Sequence, residues 1–281
     1  MKIQTIKNVN LKNLTSMRVG GKAYKIILPK DISEVSQAVE YCKRKNREFF
    51  VLGNGTNVIF DDNGYNGIII SLKNMNKIRR EGDCLVAEAG VNLMQLCRFA
   101  AEEGLSGIEA LYGIPGSVGG AVKMNAGAYG WEFCQFLQQI TTFSDGQIRQ
   151  YDNFDYTYRR GPLKTGEILL CVKIKLKTDK KEKILEKMSQ FLQKRVTFQP
   201  YCQASSGSIF KRKDRVIPAK LIDEWGLKGL KIGDAQVSDK HAGFIVNLGS
   251  ASSHDIKLLI QIIQFIAERK GYKFDTEVVL K

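Results

Sequence analysis

The sequence predicts a mixed α and β fold, of the α+β class, divided into two lobes. Helix-type and strand-type patterns alternate along the 281 residues, and 43% of the residues are hydrophobic, enough for a substantial core. A long helical pattern begins after Thr178-Asp179-Lys180-Lys181. A chain of this length suits two domains, and we predict one over 1–180, subdivided near residue 75, and another over 181–281.

Capping residues predict where the helices begin and end. Asp31 and Glu34 form a capping-box pattern ahead of an apolar stripe that includes Val35 and Cys42. Asn92 is placed to cap a second helix, which Gly104 would end. Three later helices are predicted, one with apolar residues from Ile184 to Leu192, one from Pro218 to Gly226, and one from about Ser253 to Lys270, closed by Gly271.

Short apolar runs predict the strands. Buried strands are expected at 49–52, 67–70 and 85–87, and Ser144-Asp145-Gly146 is a turn signal between two later strands. Between Leu170 and Leu176, apolar residues alternate with Cys171, Lys173 and Lys175, which is typical of a half-buried strand.

The balance of charges favours an anionic partner. The formal net charge is +14, which suits nucleic acid, acidic lipid or a phosphorylated small molecule. The basic residues are dispersed and not interleaved with aromatic residues, so we expect no nucleic-acid binding. The most apolar run, 258–266, is too short and too polar to span a membrane.

The six cysteines fit a reducing compartment. None forms a C-x-x-C pair, which disfavours a zinc site, and we expect no bound metal. Cys42, Cys97 and Cys171 fall in apolar stripes and are expected in the core. The N-terminus shows no apolar signal-peptide region, so the expected location is the cytoplasm.

Two glycine-rich loops are the strongest functional signal. The first is Leu52-Gly53-Asn54-Gly55-Thr56-Asn57; the second is Gly113-Ile114-Pro115-Gly116-Ser117-Val118-Gly119-Gly120, continuing through Asn125-Ala126-Gly127. Glycine lets backbone N–H groups approach a ligand closely, and successive N–H groups form a concave anion site. Two such loops suggest a long diphosphate cofactor. Either loop alone could be an ordinary turn, and neither matches the G-x-G-x-x-G pattern of a Rossmann fold.

The second lobe contains serines and basic residues beside a glycine, in Ser205-Ser206-Gly207-Ser208-Ile209-Phe210-Lys211-Arg212. No G-x-S-x-G elbow accompanies them, which disfavours a hydrolase. His241 is the histidine that a Ser-His-Asp triad would need, but such a residue more often satisfies local backbone groups. In the first lobe, Arg159 after Tyr158 offers a planar fork for a carboxylate, or is simply a surface arginine.

Five of these segments in register resemble the UDP-N-acetylenolpyruvoylglucosamine reductase family, over nearly the whole chain from Thr15 to Glu277. They are 52–57, 114–120, 125–130, 207–211 and 237–242. The resemblance implies an FAD-binding domain of the vanillyl-alcohol-oxidase type over 1–180 and a substrate-binding domain over 181–281. It also implies non-covalent FAD, NADPH as reductant, and a UDP-sugar bearing an enolpyruvyl group as substrate.

The resemblance also implies residue roles. The family's catalytic residues match Arg159, Ser208 and Glu277, with the serine as proton donor. FAD would be held by the two glycine loops, at Leu52, Gly53, Asn54, Gly55, Thr56, Asn57, Gly113, Ile114, Pro115, Gly116, Ser117, Gly119 and Gly120, and by Asn125 and Gly127. The substrate would contact Tyr158 and the basic residues Lys211, Arg212 and Lys213.

The sequence departs from the family pattern in three segments, at four positions. Arg212-Lys213 stand where the family usually has Asn-Pro, which leads us to assign the basic cluster to the UDP diphosphate. Gly161 stands where a serine is common, and Thr276 replaces a proline before Glu277. The chain resembles the compact subtype, which lacks an insertion over the substrate.

Two other functions remain open on sequence alone. One is another FAD-dependent oxidoreductase of the same superfamily; many of these tether flavin through a histidine, and here no histidine precedes His241. The other is a non-enzymatic basic binding protein, which would give a colourless preparation that binds nucleic acid.

Overall fold

A computed structural model of the chain describes residues 3–281, which form two compact units. Unit 1 consists of the described residues up to Ile6 together with 25–54 and 67–194, and unit 2 of 7–24, 55–66 and 195–281. The predicted division at residue 180 stays a prediction. The α-helices are α1 Ile32–Arg44, α2 Leu93–Glu102, α3 Val118–Met124, α4 Lys181–Phe198, α5 Pro218–Glu224 and α6 Ser253–Arg269.

The strands follow the chain order, and several are only two residues long. They are β1 Gln4–Asn10, β2 Lys22–Leu28, β3 Phe49–Leu52, β4 Val58–Ile59, β5 Tyr65–Ser71, β6 Ile78–Glu81, β7 Cys84–Glu88, β8 Leu105–Ser106, β9 Gly127–Ala128, β10 Trp131–Glu132, β11 Leu137–Ser144, β12 Gln147–Tyr151, β13 Ile168–Lys175, β14 Lys177–Thr178, β15 Ala204–Ser208, β16 Lys231–Ile232, β17 Ala235–Val237, β18 Phe244–Asn247 and β19 Val279–Leu280. This mixture confirms the predicted α+β class.

The helix ends follow the predicted caps, with one difference. Asp31 caps α1 by accepting a 2.9 Å hydrogen bond from the Glu34 N–H, and Asn92 caps α2 by accepting a 2.8 Å hydrogen bond from the Met94 N–H. The Glu34 carboxylate accepts from the N–H of Lys30, not from that of Asp31, so the reciprocal half of the predicted capping box is wrong. The chain enters α1 from β2, and the extended backbone of Asp31 leaves the Lys30 N–H, and not its own, within hydrogen-bond distance of the Glu34 carboxylate.

Unit 1 contains a five-stranded antiparallel sheet with the order β12-β11-β13-β7-β6. β11 and β12 are joined at Asp145 and Gly146, whose positive φ angles of 52° and 78° are those of a tight hairpin turn. β3 and β5 pair in parallel in a second sheet, of order β1-β2-β5-β3. Apolar residues of α1, α2, α3 and these strands form one buried core.

Unit 2 contains the antiparallel sheet β15-β18-β17-β16 and the parallel pair β4 and β19. Its core combines residues from these strands with one side of α6, including Ile256, Leu259 and Ile263. Pro218 begins α5, as predicted, and Gly226 and Gly271 follow α5 and α6 with φ angles of 68° and 81°.

The cysteines expected in the core are buried at two of three positions. Burial raises the pKa of the Cys42 thiol to about 11, and it also raises the pKa of Cys97, so both act as packing residues. Cys171 is only half-buried, because it lies on the less covered face of β13.

Candidate active site

The first half of the first glycine loop meets the second glycine loop within unit 1. A Cβ atom added to Gly53 would lie 2.4 Å from Ser117 Oγ, so the absence of a side chain at Gly53 allows the contact. Among the hydrogen bonds formed within residues 3–281, none uses the N–H groups of Gly53, Asn54, Gly116 or Ser117 as donors. These N–H groups are therefore available to an anionic ligand, which is the requirement of a diphosphate site.

The other N–H groups of the second loop are engaged inside the protein. Val118 N–H donates to Val91 O and Gly119 N–H to Ala89 O, each at 2.8 Å. Ser117 caps α3 by accepting from Gly120 N–H at 3.3 Å. A Cβ at Gly119 would lie 3.1 Å from Ala89 O, so this glycine permits close packing.

The start of the second loop is a turn. Gly113 has a φ angle of 88°, in the region that favours glycine, and Ile114 N–H donates to Leu111 O at 3.1 Å. Pro115 follows and offers no N–H. Leu52, immediately before the first loop, is buried at the end of β3.

The second half of the first loop belongs to unit 2 and has structural contacts there. Gly55 has a φ angle of 64°, and a Cβ at this position would lie 2.0 Å from Leu14 O. Asn57 Nδ2 donates to the backbone oxygen of Glu277 at 3.1 Å, and Val279 N–H donates to Asn57 O. Thr56, between them, is half-buried. This part of the loop therefore fixes the backbone of Glu277.

Asn125 and Gly127 are also occupied by structural contacts. The Asn125 side chain is completely buried; its Nδ2 donates to Glu132 Oε2 at 2.7 Å and to Thr157 O at 3.0 Å, and its Oδ1 accepts from Cys134 N–H at 3.1 Å. Gly127 lies in the β9–β10 hairpin, where a Cβ would be 2.5 Å from Trp131 O. Asn125 and Gly127 can therefore contribute to cofactor binding only by positioning other residues.

Arg159 lies in a four-residue turn of unit 1. Thr157 and Arg160 exchange two backbone hydrogen bonds, of 2.8 and 3.0 Å, and Arg159 between them has a φ angle of 58°. An L-residue in this conformation carries strain of about 1–3 kcal/mol, and such strain clusters at functional sites. The Arg159 guanidinium carbon lies 4.9 Å from the centre of the Tyr158 ring, and Tyr158 itself is exposed.

The departure at Gly161 has a steric reason. A Cβ at this position would lie 1.5 Å from Val122 O, in the last turn of α3. Gly161 N–H donates to Lys123 O at 3.1 Å. A serine side chain here would push the Arg159 turn away from the end of α3. Glycine allows the turn to pack closely against the helix.

Ser208 and Glu277 are brought together in unit 2 by backbone pairing. Ser208 ends β15 opposite Phe244, after a bulge at Gly207, whose φ angle is 73°. The next residue, Ile209, accepts a 2.7 Å hydrogen bond from Glu277 N–H, and Lys211 N–H donates to Asp275 O. Ser208 and Glu277 are both half-buried, so a carboxyl group and a hydroxyl group lie on neighbouring segments.

The basic cluster follows directly after Ser208. Lys211 is half-buried, whereas Arg212 and Lys213 are exposed, and Lys213 pairs with Val216 across a turn. His241, in the same unit, accepts from Gly243 N–H at 3.1 Å through Nδ1, and burial lowers its pKa. The expectation that His241 satisfies local backbone groups is confirmed.

The structure thus groups the predicted residues within each unit. Unit 1 holds Arg159, Tyr158, Asn125 and the second loop; unit 2 holds Ser208, Glu277 and the basic cluster. Sequence reasoning missed two supporting residues: Glu132, which binds Asn125, and Ser16, whose Oγ donates to Ser205 O at 2.6 Å. Ser16 lies next to Thr15, where the family resemblance begins, whereas nothing local marks Glu132.

The described part of the chain lacks two other kinds of site. Residues 3–281 contain no group of three or more histidine, cysteine or acidic side chains arranged to hold a metal ion. No helix in this range is long and apolar enough to cross a membrane.

Two family models match the sequence. One, described as an FAD binding domain, matches residues 24–149, and the other, described as the C-terminal domain of UDP-N-acetylenolpyruvoylglucosamine reductase, matches residues 199–281. The predicted fold class, an FAD-binding domain followed by the C-terminal domain of this reductase, is confirmed.

Relatives along the whole length support the same assignment. The UDP-N-acetylenolpyruvoylglucosamine reductase of Clostridium novyi is 38% identical over 276 residues, covering 96% of this chain and 90% of the relative. That of Thermotoga maritima is 37% identical, covering 94% of each chain. The crystal structure of the reductase from Thermus caldophilus superposes with a TM-score of 0.86 at 34% identity, covering 100% of this chain and 99% of that chain.

Proposed function

This chain belongs to the UDP-N-acetylenolpyruvoylglucosamine reductase family, and from that premise we propose that it reduces UDP-N-acetylglucosamine enolpyruvate to UDP-N-acetylmuramate. The reductant is NADPH, FAD is bound non-covalently, and the product serves peptidoglycan synthesis. We assign the enzyme to the cytoplasm, in keeping with cysteines that serve as packing residues.

The residues of unit 1 fit an FAD diphosphate. The N–H groups of Gly53, Asn54, Gly116 and Ser117 find no acceptor within residues 3–281, and Gly53 leaves room beside Ser117. Such groups bind phosphate oxygens well because they are fixed by the fold and need no reorganisation. FAD bound there would supply the two-electron chemistry that carries hydride from NADPH to C3 of the enolpyruvyl group.

Arg159 stabilises the charge that develops on the substrate. Addition of hydride at C3 moves the electron pair of the C2–C3 double bond through C2 into the carboxylate, which gives an enolate-like species. A planar guanidinium binds both oxygens of a carboxylate. Its interaction strengthens as charge accumulates, so it stabilises the transition state more than the ground state. The strained Arg159 backbone supports this assignment.

Ser208 donates the proton that completes the reaction. C2 of the enolate-like species takes the hydroxyl proton, and Ser208 regains a proton from solvent. NADPH leaves as NADP⁺, so the substrate gains one hydride and one proton. A hydroxyl is a weak acid in water, but a strongly basic carbon in a closed site accepts its proton. Glu277 lies on the segment paired with Ile209 and is assigned as the acidic partner of Arg159.

The substrate diphosphate is assigned to Lys211, Arg212 and Lys213, and Tyr158 contacts the sugar portion. Charged groups that follow directly after Ser208 suit a substrate with its anionic end near its reacting end. The observation that carries the proposal is the backbone pairing of Ile209 with Glu277, because it gathers a hydroxyl, a carboxyl and a basic cluster on neighbouring segments.

The visible spectrum of purified protein tests this proposal. We expect a yellow protein whose flavin absorbance disappears with NADPH under anaerobic conditions and returns when the enolpyruvyl sugar is added. Denaturation should release the flavin from the chain. A colourless protein, or a reduced flavin that the sugar does not reoxidise, would contradict the proposal; reoxidation by oxygen alone would favour another oxidoreductase of the superfamily.

A further inference from the structure

We propose that Asn125 is a positioning residue for Arg159, holding the Thr157–Arg160 turn against the end of α3. The inference rests on the proposed reduction, in which the Arg159 guanidinium binds the substrate carboxylate. It gives Asn125 an indirect part in the transfer to the sugar and no direct part in binding a ligand.

Three hydrogen bonds join the turn to α3 and to the residue that follows it. Asn125 Nδ2 donates to Thr157 O at 3.0 Å, and Gly161 N–H donates to Lys123 O at 3.1 Å. Arg159 Nη1 itself donates to Asn125 O at 3.5 Å. Hydrogen bonds thus hold the turn at Thr157, at Arg159 and at Gly161. Together they fix the position and the orientation of the Arg159 side chain.

The Asn125 side chain is fully committed to this task. Both of its N–H groups are used, one by Thr157 O and one by the Glu132 carboxylate, and its oxygen accepts from Cys134 N–H. With no exposed surface, it is one of the most enclosed polar residues of unit 1. A buried amide satisfied in this way is costly to replace, because each partner would lose its hydrogen bond.

The turn needs outside support because its central residue is strained. Arg159 has a φ angle of 58°, which glycine or asparagine adopts far more readily than arginine. A conformation of this kind persists only where the surroundings over-determine it. The Asn125 amide and the close approach of Gly161 to Val122 O provide that support.

One short helix therefore links two parts of the proposed site. α3 is capped at its N-terminus by Ser117, in the second glycine loop, and at its C-terminus by Asn125, which clamps the turn. The cofactor loop and the arginine share this one rigid element, so the position of one fixes the position of the other within unit 1.

The first experiment replaces Asn125 by glycine. Asn125 has a φ angle of 42°, so Asn125→Gly keeps the backbone conformation and removes the side-chain bonds. The matched control is Asn46→Gly, which changes an exposed asparagine with a φ angle of 47°. We expect normal flavin content and normal reduction by NADPH, but reoxidation by the sugar slowed about 10- to 100-fold.

A double variant separates positioning from general damage. If Asn125 acts through Arg159, Asn125→Gly should slow reoxidation by less than about twofold in an Arg159→Ala background, because the two effects are not additive. Hydrogen exchange provides a readout that does not depend on turnover. The backbone amides of Arg160 and Gly161 should exchange faster than in wild type in Asn125→Gly, and at the wild-type rate in Asn46→Gly.

The inference is overturned if Asn125→Gly reoxidises at the normal rate, slows both half-reactions equally, or adds its full effect to Arg159→Ala. Wild-type protein that fails to reduce the sugar would instead refute the proposed function, so the two failures are distinguishable. Should Asn125→Gly not fold, Gly161→Ala displaces the same turn. It must then show normal flavin reduction by NADPH and slowed reoxidation by the sugar.

Discussion

The Arg159 turn of unit 1 and the Ser208 and Glu277 segments of unit 2 carry the proposed chemistry, but they are held differently. The arginine is strained and depends on the buried side chain of Asn125. The serine and the glutamate lie on segments joined by backbone hydrogen bonds, at Ile209–Glu277 and Lys211–Asp275.

The difference determines which substitutions each region tolerates. Backbone pairing survives most changes of side chain, so in unit 2 the reacting group itself is the sensitive position. A turn held partly by a buried side-chain amide is sensitive to a residue that never touches the substrate. The following predictions test this contrast, in order of decreasing effect.

The largest effect is expected at Ser208. Ser208→Ala keeps the strand and removes the proton donor, so reduction of the sugar should fall about 10²- to 10⁴-fold while flavin reduction by NADPH is unchanged. Ser205→Ala, in the same strand, is the control. Rapid-mixing measurements of the two half-reactions check this, and normal turnover by Ser208→Ala would remove the serine from its role.

A smaller loss is expected at Arg159. Arg159→Lys retains the charge but loses the planar fork, so kcat for the sugar should fall about 10²-fold, with a smaller change in KM. Arg160→Lys changes an exposed neighbour and should have little effect. Steady-state kinetics measures kcat for the sugar in both variants. Equal values for Arg159→Lys and Arg160→Lys would contradict the role assigned to Arg159.

The basic cluster should affect binding and not chemistry. Arg212→Ala and Lys213→Ala each remove an exposed charge, so KM for the sugar should rise about 3- to 10-fold with kcat retained. The effect should shrink at high salt, because exposed charges are screened. Lys220→Ala on α5 is the control, and an unchanged KM in the first two variants would refute the diphosphate assignment.

The smallest effect concerns His241, next to the strand that pairs with Ser208. Burial lowers its pKa below the ordinary value of 6.5, so the unfolded chain binds the proton more readily and stability falls as the solution becomes more acidic. His241→Asn keeps an acceptor without titrating. It should lose less unfolding free energy than wild type between about pH 7 and pH 5, in denaturant titrations; equal losses would contradict this.

Local patterns predicted much of the fold. The caps at Asp31 and Asn92, the turn at Asp145-Gly146 and the alternation in β13 each depend on residues close in sequence, so they were readable. The motifs also marked both glycine loops. What these patterns lacked was any sign of which residues far apart in sequence come together.

Three features of the site depend on such distant contacts. The pairing of Ile209 with Glu277 joins segments 68 residues apart, counting from 209 to 277. The engagement of the Val118 and Gly119 N–H groups by Val91 and Ala89 removes donors that a glycine loop suggests are available. The commitment of Asn125 to Glu132 and Thr157 follows from burial, which no local pattern reports.

The configuration of the product made in D₂O tests the central claim most directly. If Ser208 donates from a fixed position, wild-type product should carry deuterium at C2 in a single configuration, because the hydroxyl exchanges with solvent and approaches C2 from one side. Product with both configurations at C2, or without deuterium there, would contradict proton donation by Ser208.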